Sequence, residues 1–376
     1  MRLRRTLLSS LTVAFAVAIA STATTPATAA DSPPSGAKAA KVFNESAAPI
    51  DQAGTFTPIV GNFGLEGGQD DIVWYAPGAT TDLLWSSRNS GGFFKGAVSP
   101  QVTGTFAPIV GNFSGDSRDD ILWYGPGSRP DMYWKTVGAS GQFTQLPFNL
   151  DGVFLPLVVH NATHYDQILL WNPRGKTLLE TFGGEDQFDS TSRLGPPSGT
   201  TPYTGDFDGD GVGDILWYGP GRANAVWYGH ELGGFTRTPI AIPGSYQPVV
   251  HAFTPGHPDR SDILFYKGGG TSLLFEEVSR SSFFVTRHTI PAGTPIAADG
   301  RNGLLYVVRP GTQPDWVWAY GGAGKPDVNR ASGNSKVAAD AIALVGRFVG
   351  DGDNLFFYRP GPGREMLFYL NIHRPT

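Results

Sequence analysis

The chain of 376 residues contains no cysteine. It can therefore form no disulfide, no cysteine-ligated zinc site and no thiolate nucleophile, so its stability has to come from a buried core, with or without bound metal. Beyond the N-terminal region, no stretch approaches the roughly 20 apolar residues of a membrane helix. We therefore expect no membrane span.

The first 30 residues place three arginines before an apolar stretch and end in small residues. This layout is typical of a bacterial-type secretory signal that is removed from the mature protein. The Arg4-Arg5 pair leaves a twin-arginine route open beside ordinary secretion. Residues 31–40, DSPPSGAKAA, have the composition of a linker. The sequence therefore predicts a secreted protein, extracellular or associated with the cell wall.

Positive charge is scarce in the sequence. Charged residues make up 16% of the chain, and the formal net charge of −5 becomes −8 once residues 1–30 are removed. Nucleic acids and anionic membranes are bound by clustered positive charge, which this sequence does not show. The charge pattern therefore argues against a nucleic acid partner.

Glycine, proline and aromatic residues are abundant, with 50 Gly, 30 Pro, 24 Phe, 13 Tyr and 9 Trp. Such a composition indicates short strands joined by tight turns. Two motifs also recur along the chain: TFTPIVGNF from Thr55 and TFAPIVGNF from Thr105, followed by DIVWYAPG from Asp71 and DILWYGPG from Asp120. The repeating units start at residues 54, 104, 152, 199, 244, 293 and 341.

Units of this length match the four-stranded blades of a β-propeller, which take roughly 40–50 residues each. The sequence therefore predicts an all-β fold, a seven-bladed β-propeller over residues 41–376. In the second unit the predicted strands are Thr105–Phe113, Asp120–Tyr124, Asp131–Lys135 and Gln142–Phe148. The last unit ends after three strands, and residues 41–53 resemble an outer strand. We therefore expect an N-terminal strand to close the last blade and cover its free edge.

The fourth unit carries an acidic loop with Asp206, Asp208, Asp210 and Asp214 at positions 1, 3, 5 and 9. Alternate residues of a tightly curled loop aim their oxygens at one centre, and the carbonyl of Val212 at position 7 adds another. Calcium prefers such a shell of hard oxygen ligands. Two other interpretations are a solvated loop without metal and a catalytic carboxylate cluster, and the first is disfavoured because unpaired carboxylates repel one another.

This loop and its flanking strands resemble the FG-GAP or VCBS-type repeat of integrin α-subunit propellers and secreted bacterial proteins. The resemblance implies a Ca²⁺ site in the fourth unit. The second unit keeps oxygen-bearing side chains at matching positions, which predicts a weaker second site. Its residues are Asn112, Ser114, Asp116, Arg118 and Asp120.

Other recurrent residues have structural interpretations. Trp85, Trp134, Trp227 and Trp318 occupy matching places in the third strands, where packing between blades is favoured over stacking on sugars. Aspartates that follow the Pro-Gly turns are predicted to cap turn amides; they are Asp82, Asp131 and Asp315, with Glu365 in the last unit. A zinc site formed by His160, His164 and Asp166 remains a minor alternative.

Together these features predict a secreted, calcium-stabilised propeller that acts as a monomeric binding module for an extracellular glycan or protein. No residue is assigned a catalytic role. The alternative is a secreted lyase or hydrolase with its site at the mouth of the central channel, and a purely structural role is the third possibility.

Overall fold

The computed structural model describes residues 43–45, 55–64, 68–78, 81–87, 95–98, 101–138, 141–161, 165–182, 188–280, 282–298, 303–309, 313–331, 341–348, 354–361 and 366–370. The predicted signal and linker, residues 1–40, lie outside the described residues, as do His164 and Glu365.

All regular elements in the described part of the chain are β-strands. They are β1 (Phe43–Glu45), β2 (Thr57–Gly61), β3 (Asp71–Tyr75), β4 (Leu83–Ser86), β5 (Lys95–Val98), β6 (Ala107–Gly111), β7 (Asp120–Tyr124), β8 (Asp131–Val137), β9 (Gln142–Phe148), β10 (Leu155–Val159), β11 (Gln167–Trp171), β12 (Thr177–Phe182), β13 (Phe188–Leu194), β14 (Thr201–Gly205), β15 (Asp214–Tyr218), β16 (Asn224–Gly229), β17 (Phe235–Ile240), β18 (Gln247–His251), β19 (Asp262–Tyr266), β20 (Thr271–Ser279), β21 (Ser282–Thr289), β22 (Thr294–Ala298), β23 (Leu304–Val308), β24 (Trp316–Ala319), β25 (Val328–Ala331), β26 (Ile342–Gly346), β27 (Asn354–Tyr358) and β28 (Met366–Leu370).

These strands form seven four-stranded antiparallel sheets within the described residues. Strands β2–β5 make the first sheet, and each following group of four makes the next, up to β22–β25 in the sixth. The seventh contains β26, β27, β28 and β1. The first strand of each sheet contacts the first strands of both neighbouring sheets, and β26 contacts β2, so the sheets form a ring. The prediction of an all-β propeller is confirmed.

The ring is closed by pairing between the two ends of the described chain. Strand β1 runs antiparallel to β28, with Phe43 opposite Leu370 and Glu45 opposite Phe368. This pairing gives the last sheet its fourth strand and covers the edge of β28 that would otherwise be free.

The core lies between neighbouring sheets, and the second strand of each sheet shows why. In β15, Ile215 and Trp217 pack against Leu169 of the third sheet, whereas Leu216 and Tyr218 pack against the fifth. Alternate residues of a strand point to opposite faces, so a strand between two sheets has to be apolar at consecutive positions. The run Asp-Ile-Leu-Trp-Tyr follows from this double burial.

A tyrosine at the end of the second strand links neighbouring sheets in most of the ring. The Tyr124 hydroxyl donates to the Gly152 carbonyl at 2.7 Å and accepts the Phe154 N–H at 2.9 Å. Tyr358 accepts the N–H of Phe56 at 3.0 Å, which ties the seventh sheet to the first. The phenol therefore satisfies backbone groups at the junctions where no strand ladder can do so.

Buried aspartates organise the ends of the strands. Asp131 accepts the N–H groups of Gly125 and Leu150, as expected for an aspartate that caps turn amides. At the start of β7, Asp120 accepts the N–H groups of Ser114 and Thr136, each at 2.8 Å. Carboxylates that take N–H bonds from two segments hold those segments together. The capping role of the aspartates after the turns is confirmed for Asp82 and Asp315 as well.

We expect the stability of the protein to fall as pH rises through the titration of one such carboxyl, that of Asp262. Asp262 is 1% exposed, and burial raises its pKa to about 6 even though the Thr254 N–H donates to it. The folded state therefore holds the proton more tightly than the unfolded chain, whose carboxyl titrates near 4. The contribution of Asp262 to the free energy of unfolding should decrease, by on the order of 3 kcal/mol, between about pH 4 and pH 6 and then level off.

Urea unfolding of wild type and Asp262→Asn between pH 4 and pH 8 measures this effect. The variant should show a smaller loss of stability over that interval, and asparagine already stands at the matching place in the last sheet, as Asn354. Asp259→Asn, at an exposed position nearby, is the matched control and should keep the wild-type slope. Equal slopes for wild type and Asp262→Asn would contradict the prediction.

Candidate metal loop and inter-sheet clefts

The acidic loop connects β14 to β15 and turns sharply at two glycines. Gly209 and Gly211 have φ of +75° and +84°, a region that L-residues with side chains rarely adopt. The chain curls at these glycines so that carboxylate oxygens of Asp206, Asp208 and Asp210 lie within 4.8 Å of one another. Among the described residues, this is the one group of acids and histidines with metal-ligand spacing.

Hydrogen bonds within the loop keep these carboxylates in place. Asp206 accepts the N–H of Gly209 at 2.7 Å and that of Gly211 at 2.9 Å. Asp208 accepts the N–H of Asp210, and Asp210 accepts the N–H of Val212. Each acid thus closes a small turn with its own backbone. Asp208 and Asp210 each keep a second carboxylate oxygen that takes no hydrogen bond from the loop backbone.

The fourth predicted ligand, Asp214, does not belong to this group. It is 0% exposed, and its two oxygens accept the N–H groups of Phe207 at 2.7 Å and Gly229 at 2.8 Å. Asp120 does the same in the second sheet. The recurrence of this aspartate in units that lack an intact acidic loop was the sequence signal for its structural role. Val212, the predicted carbonyl ligand, forms an antiparallel bridge with Asn161 of the third sheet.

Ionisation is costly for two of the aspartates, Asp206 and Asp214. Burial, together with the carboxylates of Asp208 and Asp210, raises the pKa of Asp206. Burial raises the pKa of Asp214 to about 8, with further contributions from Asp208 and Asp206. A cation at the loop would favour the ionised carboxylates and oppose this cost.

Arg280 supplies one such cation. It lies in the β20–β21 turn of the fifth sheet, where its Nε donates to Asp208 and its guanidinium donates to Asp210 at 2.6 Å. Its carbonyl accepts the Thr238 hydroxyl at 2.9 Å, which adds a contact to β17. The sequence gives no local signal for this partner, because 70 residues separate Arg280 from Asp210.

The predicted weaker loop in the second sheet is organised differently. Asp116 forms an ion pair with Arg118 at 3.0 Å, and Asn112 accepts the Asp116 N–H at 3.1 Å. Asp120 is engaged by the N–H groups of Ser114 and Thr136. The acids of this loop therefore do not converge on one point as those of the fourth sheet do.

The third unit brings His160 and Asp166 together, at 3.0 Å between Nδ1 and the carboxylate. Asp166 also accepts the N–H groups of Asn112 and Asn161, both at 2.9 Å. Asp119 accepts the N–H of Asn62 at the preceding junction, and burial raises the pKa of Asp119 to about 6. These acids join neighbouring sheets at their first strands. Of the three residues of the predicted zinc site, His160 and Asp166 lie within the described part and His164 does not.

The third-strand tryptophans are packed inside the fold. Trp134, Trp227 and Trp318 are at most 2% exposed, and Trp85 is half-buried. Trp227 meets Trp217 of the neighbouring strand edge to face, with ring centres 5.3 Å apart. This arrangement supports the structural interpretation, because a buried ring offers no face to a sugar.

A groove of about 460 Å³ lies between the third and fourth sheets. The end of the acidic loop, Val212 and Gly213, forms one part of its wall, and the β16–β17 turn forms another. Leu232 at this turn is 99% exposed, which is unusual for a large apolar side chain. The groove therefore places an apolar contact beside the acidic loop.

Comparisons with known proteins place the fold. No protein-family model matches the chain, and no curated protein matches it. Crystal structures of BBS1N in complex with ARL6DN are similar in fold, one soaked with mercury and one with lead. In the mercury-soaked structure the aligned chain has a TM-score of 0.51 and 13% sequence identity, over 89% of this chain and 98% of that chain. The lead-soaked structure aligns with the same score and identity over 88% and 98%.

Among the described residues, no helix is long and apolar enough to cross a membrane. At 13% identity the likeness to the BBS1N–ARL6DN structures concerns the fold alone. The ring of antiparallel sheets and these comparisons together identify the chain as a β-propeller.

Proposed function

We propose that this chain is an exported, calcium-stabilised propeller of the FG-GAP/VCBS type that binds a protein ligand in the groove between its third and fourth sheets. The observation that carries the proposal is the position of this groove, built against the end of the acidic loop and bordered by the exposed Leu232. Calcium at the loop would hold one wall of the groove in a fixed shape. The export signal proposed at residues 1–30 agrees with use outside the cell, where free calcium is abundant.

The donor set of the loop fits calcium. Three carboxylates from alternate residues lie within 4.8 Å of one another, and hard oxygen ligands in a flexible loop are what Ca²⁺ takes. Asp206, Asp208 and Asp210 would hold the ion. The ion would supply charge compensation that Arg280 provides only in part, since the guanidinium reaches Asp208 and Asp210 from one side.

Calcium titration tests this part of the proposal. Sites in extracellular modules bind with dissociation constants of about 10⁻⁴–10⁻³ M, and ligand at 100 times that constant stabilises by about 2.7 kcal/mol. Isothermal titration calorimetry should detect one site per chain, and the melting temperature should rise with calcium. Asp208→Asn should abolish both effects.

Arg280 offers a matched probe of the same site. Arg280→Gln removes the cation that contacts Asp208 and Asp210, so calcium should bind several-fold more tightly. Arg222→Gln, an exposed arginine in the β15–β16 turn, should leave the calcium affinity unchanged. Absence of calcium binding in wild type and in Arg280→Gln would overturn the calcium assignment.

A protein ligand is favoured over a glycan because the groove rim offers an exposed leucine and the third-strand tryptophan of the fourth sheet, Trp227, is buried. Apolar side chains of a partner protein gain from burial against leucine, whereas sugars need an exposed aromatic face or many hydrogen bonds. The structurally similar BBS1N is itself found in complex with a protein, ARL6DN. This observation supports a protein partner here by analogy of fold.

A binding screen against secreted proteins and a glycan panel tests the ligand class. A partner that wild type retains should be lost on Leu232→Asp and weakened by chelator. Val153→Asp, a change at another exposed apolar residue, should keep binding. Glycan binding that survives Leu232→Asp would contradict the protein proposal, as would protein binding that both variants retain equally.

A further inference from the structure

A second cleft, of about 480 Å³, lies between the outer strand of the fifth sheet and the β24–β25 turn of the sixth. Thr286 and His288 of β21 line one side, and Tyr320, Lys325 and Asp327 line the other. The side chains meet across the junction of two sheets. The cleft is separate from the acidic loop and from the groove beside Leu232.

Three of these residues form a hydrogen-bonded chain. The Asp327 carboxylate lies 2.6 Å from Nδ1 of His288, and Nε2 of His288 lies 2.7 Å from the Thr286 hydroxyl. Because a carboxylate accepts, Nδ1 carries the proton and Nε2 is left to accept from the threonine hydroxyl. This is the order of atoms in a nucleophile–base–acid triad, with threonine as the hydroxyl.

The imidazole is held in this orientation from several sides. The side chain of His288 is 7% exposed, and its ring centre lies 5.1 Å from that of Trp318 and 5.4 Å from that of Tyr320. Asp327 in turn accepts the Trp318 indole N–H at 3.0 Å and the Gly321 N–H at 3.2 Å. Burial acts to raise the pKa of Asp327, but the contacts with His288, Trp318 and Gly321 lower it overall, so this carboxylate stays ionised.

The fourth sheet contains an incomplete counterpart of this chain. Nε2 of His230 lies 2.8 Å from the Thr236 hydroxyl, but this pair is exposed. No carboxylate of the described residues forms an ion pair with His230. A histidine–threonine contact therefore occurs twice among the described residues, and His230 also lines a groove, but only the contact in the cleft has a carboxylate behind it.

We infer that Thr286, His288 and Asp327 form an acyl-transfer site that hydrolyses carboxylic esters small enough for the cleft. The Thr286 oxygen bonds to the ester carbonyl carbon while its proton passes to Nε2 of His288. The carbon–oxygen bond to the alcohol then breaks, and the alcohol leaves with that proton. Water next gives a proton to His288 and its oxygen to the acyl carbon, which releases the acid and returns the proton to Thr286.

Tyr320 and Lys325 complete the polar lining of the cleft. Burial together with the nearby Glu276 carboxylate raises the pKa of Tyr320 to about 12. The phenol therefore keeps its proton at neutral pH, with the Glu276 carboxylate as a hydrogen-bond partner. Lys325 adds positive charge to the lining of the cleft.

Hydrolysis of p-nitrophenyl acetate and butyrate by the full chain tests the inference. Thr286→Val and His288→Gln should each lower kcat about 100-fold or more, because both the nucleophile and the base act in the reaction. Asp327→Asn should lower kcat with little change in KM, as expected for a positioning residue. A fluorophosphonate label should modify Thr286 in wild type, as located by peptide mass spectrometry.

Two further variants guard against loss of folding. Thr286→Ser keeps a hydroxyl and should retain hydrolysis and labelling at position 286 even if Thr286→Val fails to fold. Thr236→Val removes the counterpart in the fourth sheet and should leave kcat unchanged. The inference is overturned if wild type shows no hydrolysis above the Thr286→Val background, or if the label modifies residues outside the cleft while position 286 stays unmodified.

Discussion

Replacing Trp217 with alanine is expected to lower the free energy of unfolding by about 3–5 kcal/mol. Trp217 is 0% exposed in the middle of the fourth sheet, where it packs against Leu169 of the third sheet and against Trp227. The indole fills space between two sheets that cannot approach each other without bending their ladders. Alanine therefore leaves a cavity that the surroundings fill only in part.

Urea unfolding of wild type, Trp217→Ala and Trp217→Phe measures this cost. The phenylalanine variant should lose much less, because Phe265 stands at the matching position of the fifth sheet and no described residue accepts the indole N–H of Trp217. An alanine variant as stable as the phenylalanine variant would show that the two sheets can close over the gap.

The second large effect is expected at Asp131. Replacing Asp131 with alanine should cost about 2–4 kcal/mol, because the buried N–H groups of Gly125 and Leu150 would lose their acceptor. Gly125 precedes Asp131 by 6 residues and Leu150 follows it by 19, so Asp131 is the common partner of two separate segments. The loss should therefore also loosen the turn between β7 and β8.

Asp131→Asn provides the graded comparison. Asn224 occupies the matching place in the fourth sheet and accepts the Gly219 N–H at 2.7 Å, so asparagine can serve one of the two contacts. Asp131→Asn should therefore lie between wild type and Asp131→Ala. Asp151→Ala, an exposed change nearby, should leave the stability within about 0.5 kcal/mol. A loss of stability in Asp131→Asn as large as that in Asp131→Ala would mean that both contacts require a charged carboxylate.

Much of the fold could be predicted from the sequence, because the same two motifs recur in each unit and mark its first two strands. Each predicted unit start lies one to three residues before the first strand of a sheet. The strands Asp120–Tyr124 and Gln142–Phe148 have the predicted bounds, whereas β8 continues two residues past the predicted end, to Val137. The first strand of the sheet, β6, spans Ala107–Gly111 and is therefore two residues shorter at each end than the predicted Thr105–Phe113.

The candidate sites were harder to predict, because their parts come from different units. The sequence places Asp206, Asp208 and Asp210 together through local spacing, and the structure brings them within 4.8 Å. The same spacing predicted Asp214 as a fourth ligand. In the structure the Asp214 carboxylate accepts two backbone N–H groups instead. The contact of Arg280 with the acidic loop requires the fourth and fifth sheets to pack together. The cleft of Thr286 and Asp327 requires the same of the fifth and sixth sheets. Residue spacing within one unit predicts neither contact.

The closure of the ring by β1 constrains the order in which strands can pair during synthesis and folding. Residue 43 pairs with residue 370, so the first strand has no partner until residue 370 has left the ribosome. Bringing ends so distant together carries a large loop-closure entropy, which the six sheets formed between them must first reduce. A chain exported in the unfolded state would therefore reach its closed form only after export, and its first strand would remain a free edge until then.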